Sequence, residues 1–229
     1  LRINLNDQEG ALIYAEAGLK LNQADHSDGP PGNIKIGGYF HTDSFYDMYQ
    51  GTFAAFENYV GLPGALLGGG AKTHEGNYGL YLLVDQTLWR EVGKEDPARQ
   101  GLAGFVRTAV APEDRNLATW GLDGGLVYRG LIPKRDWDSF GVAASYLAIS
   151  DDLARAQQDI NTLLPLLGFP EPFTKTADYE AVLEINYRAQ MTAWWTLQAS
   201  VQRVFHPGGR LLQDYPDAWV LIIQTGLRF

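Results

Sequence analysis

Cysteine is absent from the 229 residues, which excludes disulfides and thiolate metal sites. That suits a chain crossing an oxidising periplasm, although many soluble proteins share it. Positive charge is scarce: 18 Lys and Arg stand against 27 Asp and Glu, a net charge of -9 with a pI near 4.8. A nucleic-acid partner would want a basic face, so none is expected. No stretch approaches the roughly 18 consecutive apolar residues of a membrane-spanning helix. The longest apolar run, Trp219 to Ile223, has a strand's length. Catalytic signatures are missing as well. His26, His41, His74 and His206 show neither HExxH nor paired metal spacing, and there is no GxSxG elbow, P-loop or cysteine nucleophile. His74-Glu75 reads as loop surface, and neither a cofactor nor a metal is expected. The chain opens on Leu1-Arg2-Ile3-Asn4, with no initiator Met and no charged-then-apolar signal segment.

What is present is alternation. The composition (45% hydrophobic, 20% charged) lies near a soluble average. A barrel wall hides in such an average, because each lipid-facing apolar residue alternates with a polar one. About nine segments read as strands, with period-two patterning bounded by Gly, Pro, Asp or Asn. They cover about 11–21, 33–42, 78–90, 101–111, 118–130, 139–149, 177–190, 194–205 and 218–229. Most exceed the roughly 5–6 residues of globular strands and match the roughly 9–11 that cross a bilayer when tilted. In the last segment Trp219, Leu221, Ile223, Thr225, Leu227 and Phe229 share a face. In the seventh, Asp178, Glu180, Glu184, Asn186, Arg188 and Gln190 oppose Tyr179, Ala181, Leu183, Ile185 and Tyr187. A soluble β-sandwich also alternates, but rarely with so charged a polar face on strands this long.

With the C-terminal strand ending in the periplasm, the links at about 91–100, 131–138 and 191–193 are periplasmic, and the longest, about 43–77 and 150–176, are external. Short turns at one end and long loops at the other is the outer-membrane pattern. Trp89, Trp137, Trp194, Trp195 and Phe229 fall at periplasmic strand ends, and Trp120 and Trp219 near the outer ends. Rings at both interfaces form the aromatic girdles of barrels. The expected fold is all-β, a transmembrane antiparallel barrel. Bacterial barrels need an even strand number, so further strands are expected before Leu1, and residues 1–10 read as the tail of an outer loop.

Several strings resemble the carbohydrate-selective, glucose-type porin family of Gram-negative and cyanobacterial outer membranes. They are Gly76–Glu91, Gly101–Asn116, Gly125–Tyr146, Tyr179–Gly209 and the terminal Thr225–Phe229. The resemblance covers most of 76–229 and, more loosely, 1–42; His206 stands where the family often has Asn. It implies a barrel of about sixteen strands that passes glucose and other monosaccharides by facilitated diffusion. Residues 1–229 would then be about nine C-terminal strands of one barrel domain. Expected partners are small sugars, outer-membrane lipid, the barrel assembly machinery through the C-terminal strand, and further copies of the chain. The alternatives are a general diffusion porin without sugar selectivity and, less favoured, an outer-membrane barrel enzyme.

A sugar pore needs groups that replace water on hydroxyls while releasing the sugar easily. Parity supplies pore-lining candidates: Asp85, Arg107, Asp123, Arg129, Glu180, Glu184 and Arg188, with Glu16, Lys35 and Arg228 beside them. Arg107, Asp123, Glu180 and Glu184 are expected nearer mid-strand, at the narrow zone; the competing expectation is that such charges only neutralise one another. Phe45, Tyr46, Tyr49, Phe53, Phe56 and Tyr59 are expected to pack a folded outer loop, or to form a stacking slide. The 150–176 link reads as partly helical, capped by Asp151 or Asp152, striped by Leu153, Ile160, Leu163, Leu164 and Leu167, and ended by Gly168. Asp114-Arg115-Asn116 reads as turn chemistry.

Overall fold

The computed structural model describes residues 10–23, 29–61, 64, 70–91 and 100–228. Among them are nine strands: β1 (Leu12–Leu21), β2 (Gly32–Tyr46), β3 (Thr73–Arg90), β4 (Gly101–Val110), β5 (Ala118–Arg129), β6 (Ser139–Ile149), β7 (Tyr179–Gln190), β8 (Trp195–Phe205) and β9 (Ala218–Leu227). They form one sheet in sequence order, each strand antiparallel to the next. Such a meander needs only local turns, and β1 and β9 are its edges. A ten-residue strand is about 33 Å long, enough to cover an apolar band about 25 Å tall at barrel tilt.

The register divides the side chains into two sets. One face carries Ile36, Leu80, Leu183, Ile185, Leu221 and Ile223 in solvent-open positions; Leu221 is 70% exposed and Ile223 69%. Apolar exposure across a whole sheet face is unfavourable in water and is what lipid selects. One cation interrupts this face near the long-loop end. Arg203 lies over the Trp219 and Phe205 rings, 5.2 and 5.5 Å from their centroids, and pairs with Asp217 at 3.0 Å. Its stem covers apolar surface while its head meets a carboxylate at the rim.

Seven strands follow the sequence pattern to within two residues at either end. β2 and β3 do not: they run past the expected 33–42 and 78–90, pairing Ser44 with Glu75 and Tyr46 with Thr73 beyond a bulge at His41/Ser44. The alternation fades there because the extension lies beyond the apolar band and need not be half greasy. Phe45 and Tyr46 are therefore strand residues rather than loop aromatics.

The shortened link holds an unexpected helix, α1 (Met48–Tyr59), capped by Asp47, whose side chain accepts from the Gln50 amide. It packs on α2 (Asp151–Leu163), which continues into a 3-10 turn at Leu164–Leu167. Phe53, Ala156, Ile160 and Leu164 form their shared core, with Tyr49, Phe56 and Phe173 against it. A fully buried side chain of this size contributes about 1.5–3 kcal/mol, so the roof has a small core of its own. Tyr59, 87% exposed, stays outside. The cap of α2 is Ser150, not Asp151 or Asp152, which instead occupy the first turn beside the positive dipole end. Leu163 and Leu167 are also exposed, so of the expected stripe only Leu153, Ile160 and Leu164 are buried. Gly168 closes the segment at φ 85°, where a side chain would strain the backbone.

Candidate functional site

The second face of the sheet gathers the polar side chains. Following the register, one row runs Lys35, Leu83, Arg107, Asp123, Ser145, Val182 and Val204 across β2 to β8. The next runs Asn33, Asp85, Phe105, Gly125, Ala143, Glu184 and Gln202. Glu16, Tyr81 and Glu180 share a third. Arg129 and Arg188 fall in a fourth, each opposite Ser139. Every charged residue selected by parity from β1 to β7 thus lies on one face. Arg228, just beyond the end of β9, follows the same parity.

Their surroundings differ. Arg107 stands opposite Asp123, but it lies over the Phe105 ring at 4.9 Å while Asp123 accepts from Ser145. Glu184 accepts from Asn186 at 2.8 Å and from Gln202. Glu180 is not near mid-strand. It is the second residue of β7 and accepts the Gly208 amide at 2.6 Å, tying down the turn at Pro207–Arg210. Alternation gives the face of a residue but not its height, which depends on where the strand begins. A concavity of about 550 Å³ nevertheless joins Tyr39, Tyr81, Arg107, Asp123, Ser145 and Glu180, within the size range of small-ligand sites.

Pairing accounts for only part of this charge. Lys35 meets Glu16 at 3.0 Å. Glu16 also accepts from the Tyr81 hydroxyl at 2.6 Å, and Tyr14 touches that hydroxyl and stacks with its ring stacked at 5.9 Å. These tyrosines, with Tyr39, are the functional candidates that charge-led reading missed; polar-face parity was the signal that could have found them. Glycines lie beneath the rings. A side chain at Gly37 would collide with Tyr81, one at Gly79 with Tyr39 and one at Gly125 with Phe105. The aromatics can therefore lie low against the wall.

The long-loop end is built differently. His74 Nε2 meets Asp47 at 2.8 Å and its Nδ1 lies 3.5 Å from Asp114. Arg115 grips Asp114 through Nε and Nη2 at 2.8 and 2.9 Å and donates to the Gly76 carbonyl. Asn116 and Asn77 exchange amide hydrogen bonds at 2.8 and 2.9 Å. His74 is thus largely buried in a clasp rather than loop surface. The Arg115 bonds hold the Asp114 carboxyl below the usual carboxylate range. For Asp47 burial pushes upward, but the Gln50 amide and His74 outweigh it and leave the group lowered. Tyr49 donates to Asp159 at 2.6 Å, which pushes its phenol up to about 12.

The aromatics sit toward strand ends. Trp89 is the penultimate residue of β3, beside Tyr128 at 6.0 Å; Trp120 is third in β5, 5.0 Å from Tyr146. Trp219 is second in β9, Trp194 lies in the turn before β8, and Trp195 donates to Thr225 at 2.7 Å. Phe229 lies outside the described residues, as do residues 1–9, His26 and most of the link at 91–100. At Trp89 a bulge between Thr87 and Trp89 reverses the parity of β3, sending Trp89 to the apolar face and Arg90 to the polar one. Simple alternation misses Arg90 for this reason.

A meander with one predominantly apolar face and one charged, hydrogen-bonding face has the form of a membrane β-barrel wall, which defines the class as porin-like. The model of the carbohydrate-selective porin, OprB family, matches residues 1–229, and the chain belongs to that family. Among solved structures, the high-pH structure of Pseudomonas putida OprB aligns with a TM-score of 0.77 at 22% identity, over 96% of this chain and 49% of that one. Its low-pH structure aligns with a TM-score of 0.54 at 14% identity, over 96% and 47%. The chain therefore spans about half the length of these porins. A search of curated proteins found no match.

Proposed function

We propose that the chain is part of the wall of an outer-membrane channel passing monosaccharides such as glucose by facilitated diffusion. In this reading residues 1–229 form the C-terminal portion of one closed barrel domain. The two sheet edges and the half-length match to the Pseudomonas putida porin favour this. The observation that carries the sugar reading is the polar face itself, where hydrogen-bonding groups alternate with tyrosines lying over glycines. A sugar entering the channel exchanges water for contacts to Arg107, Asp123 and Glu184, while the apolar side of its ring meets Tyr81 or Tyr39. Each contact is single and water-accessible, so the sugar leaves again. No bond is made or broken, and the chain acts as a channel rather than an enzyme. The terminal aromatic ends, from Trp89 and Trp194 to Trp120 and Trp219, seat the wall at the two membrane interfaces, and β9 presents the strand by which the assembly machinery inserts it.

The test is conductance of the full-length protein in planar bilayers under increasing glucose. Graded, saturable block, weakened in Asp123→Asn, supports the proposal. Conductance that stays fixed at every sugar concentration overturns the selectivity and leaves a general diffusion porin, the second reading. The polar-face charges without partners favour that alternative.

A further inference from the structure

Three arginines on the polar face share one row. Arg90 stands opposite Gly101, Gly101 opposite Arg129, Arg129 opposite Ser139, and Ser139 opposite Arg188. They occupy alternate strands, so neighbours are about 10 Å apart, two strand spacings. The intervening residues, Gly101 and Ser139, are too small to cover them. The row lies near the short-turn end, since Arg90 and Arg129 are the last residues of their strands and Arg188 is two from the end of its own.

Among the described residues, Arg115, Arg135, Arg203 and Arg210 each meet a carboxylate. Arg90, Arg129 and Arg188 meet none that is described. On the same strand face, Arg188 is four residues from Glu184, about 13 Å, and Glu184 already accepts from Asn186 and Gln202. The sites are open. Arg90 and Arg129 line a cavity of about 210 Å³ with Thr87 and Gln100, whose buried Oε1 has no donor. Arg188 lines another of about 620 Å³ with Gln190, Thr196 and Arg228.

We propose that Arg90, Arg129 and Arg188 form an anion-binding row that recruits small carboxylate- or phosphate-bearing solutes, acidic or phosphorylated sugars among them, and makes the channel prefer anions to cations. This rests on the reading that the polar face lines a water-filled channel. The guanidinium fork matches both oxyanions. The 10 Å spacing equals the Debye length near 0.1 M salt, which shrinks to about 3 Å at 1 M. The preference therefore belongs to dilute salt and fades in concentrated salt.

The test is the reversal potential of the full-length protein in planar bilayers under a KCl gradient, read without sugar. The expected result is chloride preference in dilute salt, with a permeability ratio that falls several-fold in R90Q/R129Q/R188Q and is retained in R90K/R129K/R188K. Cation preference in the wild type, or an unchanged ratio in the glutamine variant, overturns the proposal. If the triple variant does not insert, R129Q alone should shift the ratio in the same direction, and no shift overturns it. Gluconate and inorganic phosphate are then added separately. Block by either one, lost in the glutamine variant, identifies the oxyanion; block by neither overturns the binding claim. Glucose block without anion preference sinks this inference and spares the sugar reading, whereas anion preference without glucose block does the reverse.

Discussion

The long-loop end and the polar face are both charged, yet they use charge in opposite ways. At the loop end Asp47, His74, Asp114 and Arg115 satisfy one another and close the α1 link onto the 111–117 turn, while α1 itself shares a core of Phe53, Ile160 and Leu164 with α2. Among the described residues of the polar face, Arg90, Asp85, Arg129 and Arg188 have no ion-pair partner, and only Lys35 and Glu16 pair across strands. Paired charge fixes geometry. Unpaired charge in water keeps its capacity for a passing solute. Under the proposed function, the contrast separates residues that hold the molecule together from residues left available to a passing solute.

The strongest way to sharpen this division is to empty the roof core. Ile160→Ala should cost about 2–5 kcal/mol locally, read as rapid proteolysis within the 150–178 link while heat-resistance of the sheet is unchanged. Melting of the sheet together with the loops would break the division. Arg115→Met comes next. It strips Asp114 of its bidentate partner at a part-buried site and should loosen α1 and its cap at Asp47 by about 1–3 kcal/mol, measured by hydrogen exchange.

Acid should act in the same direction. Asp47 and Asp114 are lowered in the folded state, as is Asp138, where burial pushes upward but Tyr187, the Gln190 amide and Arg135 outweigh it. Lowered carboxylates add stability above their unfolded value near pH 4, and lose it as the pH falls through the folded value. Exchange protection at the loop clasp and at the 130–138 turn should therefore be full at pH 6 and decline below about pH 4. The smallest effect is expected on the polar face. Arg107→Gln should change stability by no more than about 0.5 kcal/mol while altering conductance. A large loss of stability would place Arg107 among the structural charges.

Most of the wall was legible in the sequence because lipid on one side and water on the other impose period two on every strand. The faces of Arg107, Asp123 and Glu184 followed from that alone. Three things did not. Strand ends beyond the apolar band lose the alternation, which hid the extensions of β2 and β3. A bulge reverses parity without any local signature, which hid Arg90. The α1 segment carries a mixed stripe, buried only because α2 arrives from a hundred residues away, so the packing of Phe53 in the outer link was expected but its helix and its partner were not. Heights along the barrel were also out of reach, as Glu180 demonstrates.

The central claim is that the two faces meet water and lipid respectively, and the absence of cysteine makes it directly testable. Single cysteines at Asp123, Ser145 and Glu184, and at Leu122, Tyr146 and Ile185 one residue away, would be exposed in membranes to a charged, membrane-impermeant thiol reagent. The account requires labelling, with a step in conductance, at the first three and none at the second three. Equal labelling of both sets, or the reverse pattern, would contradict it.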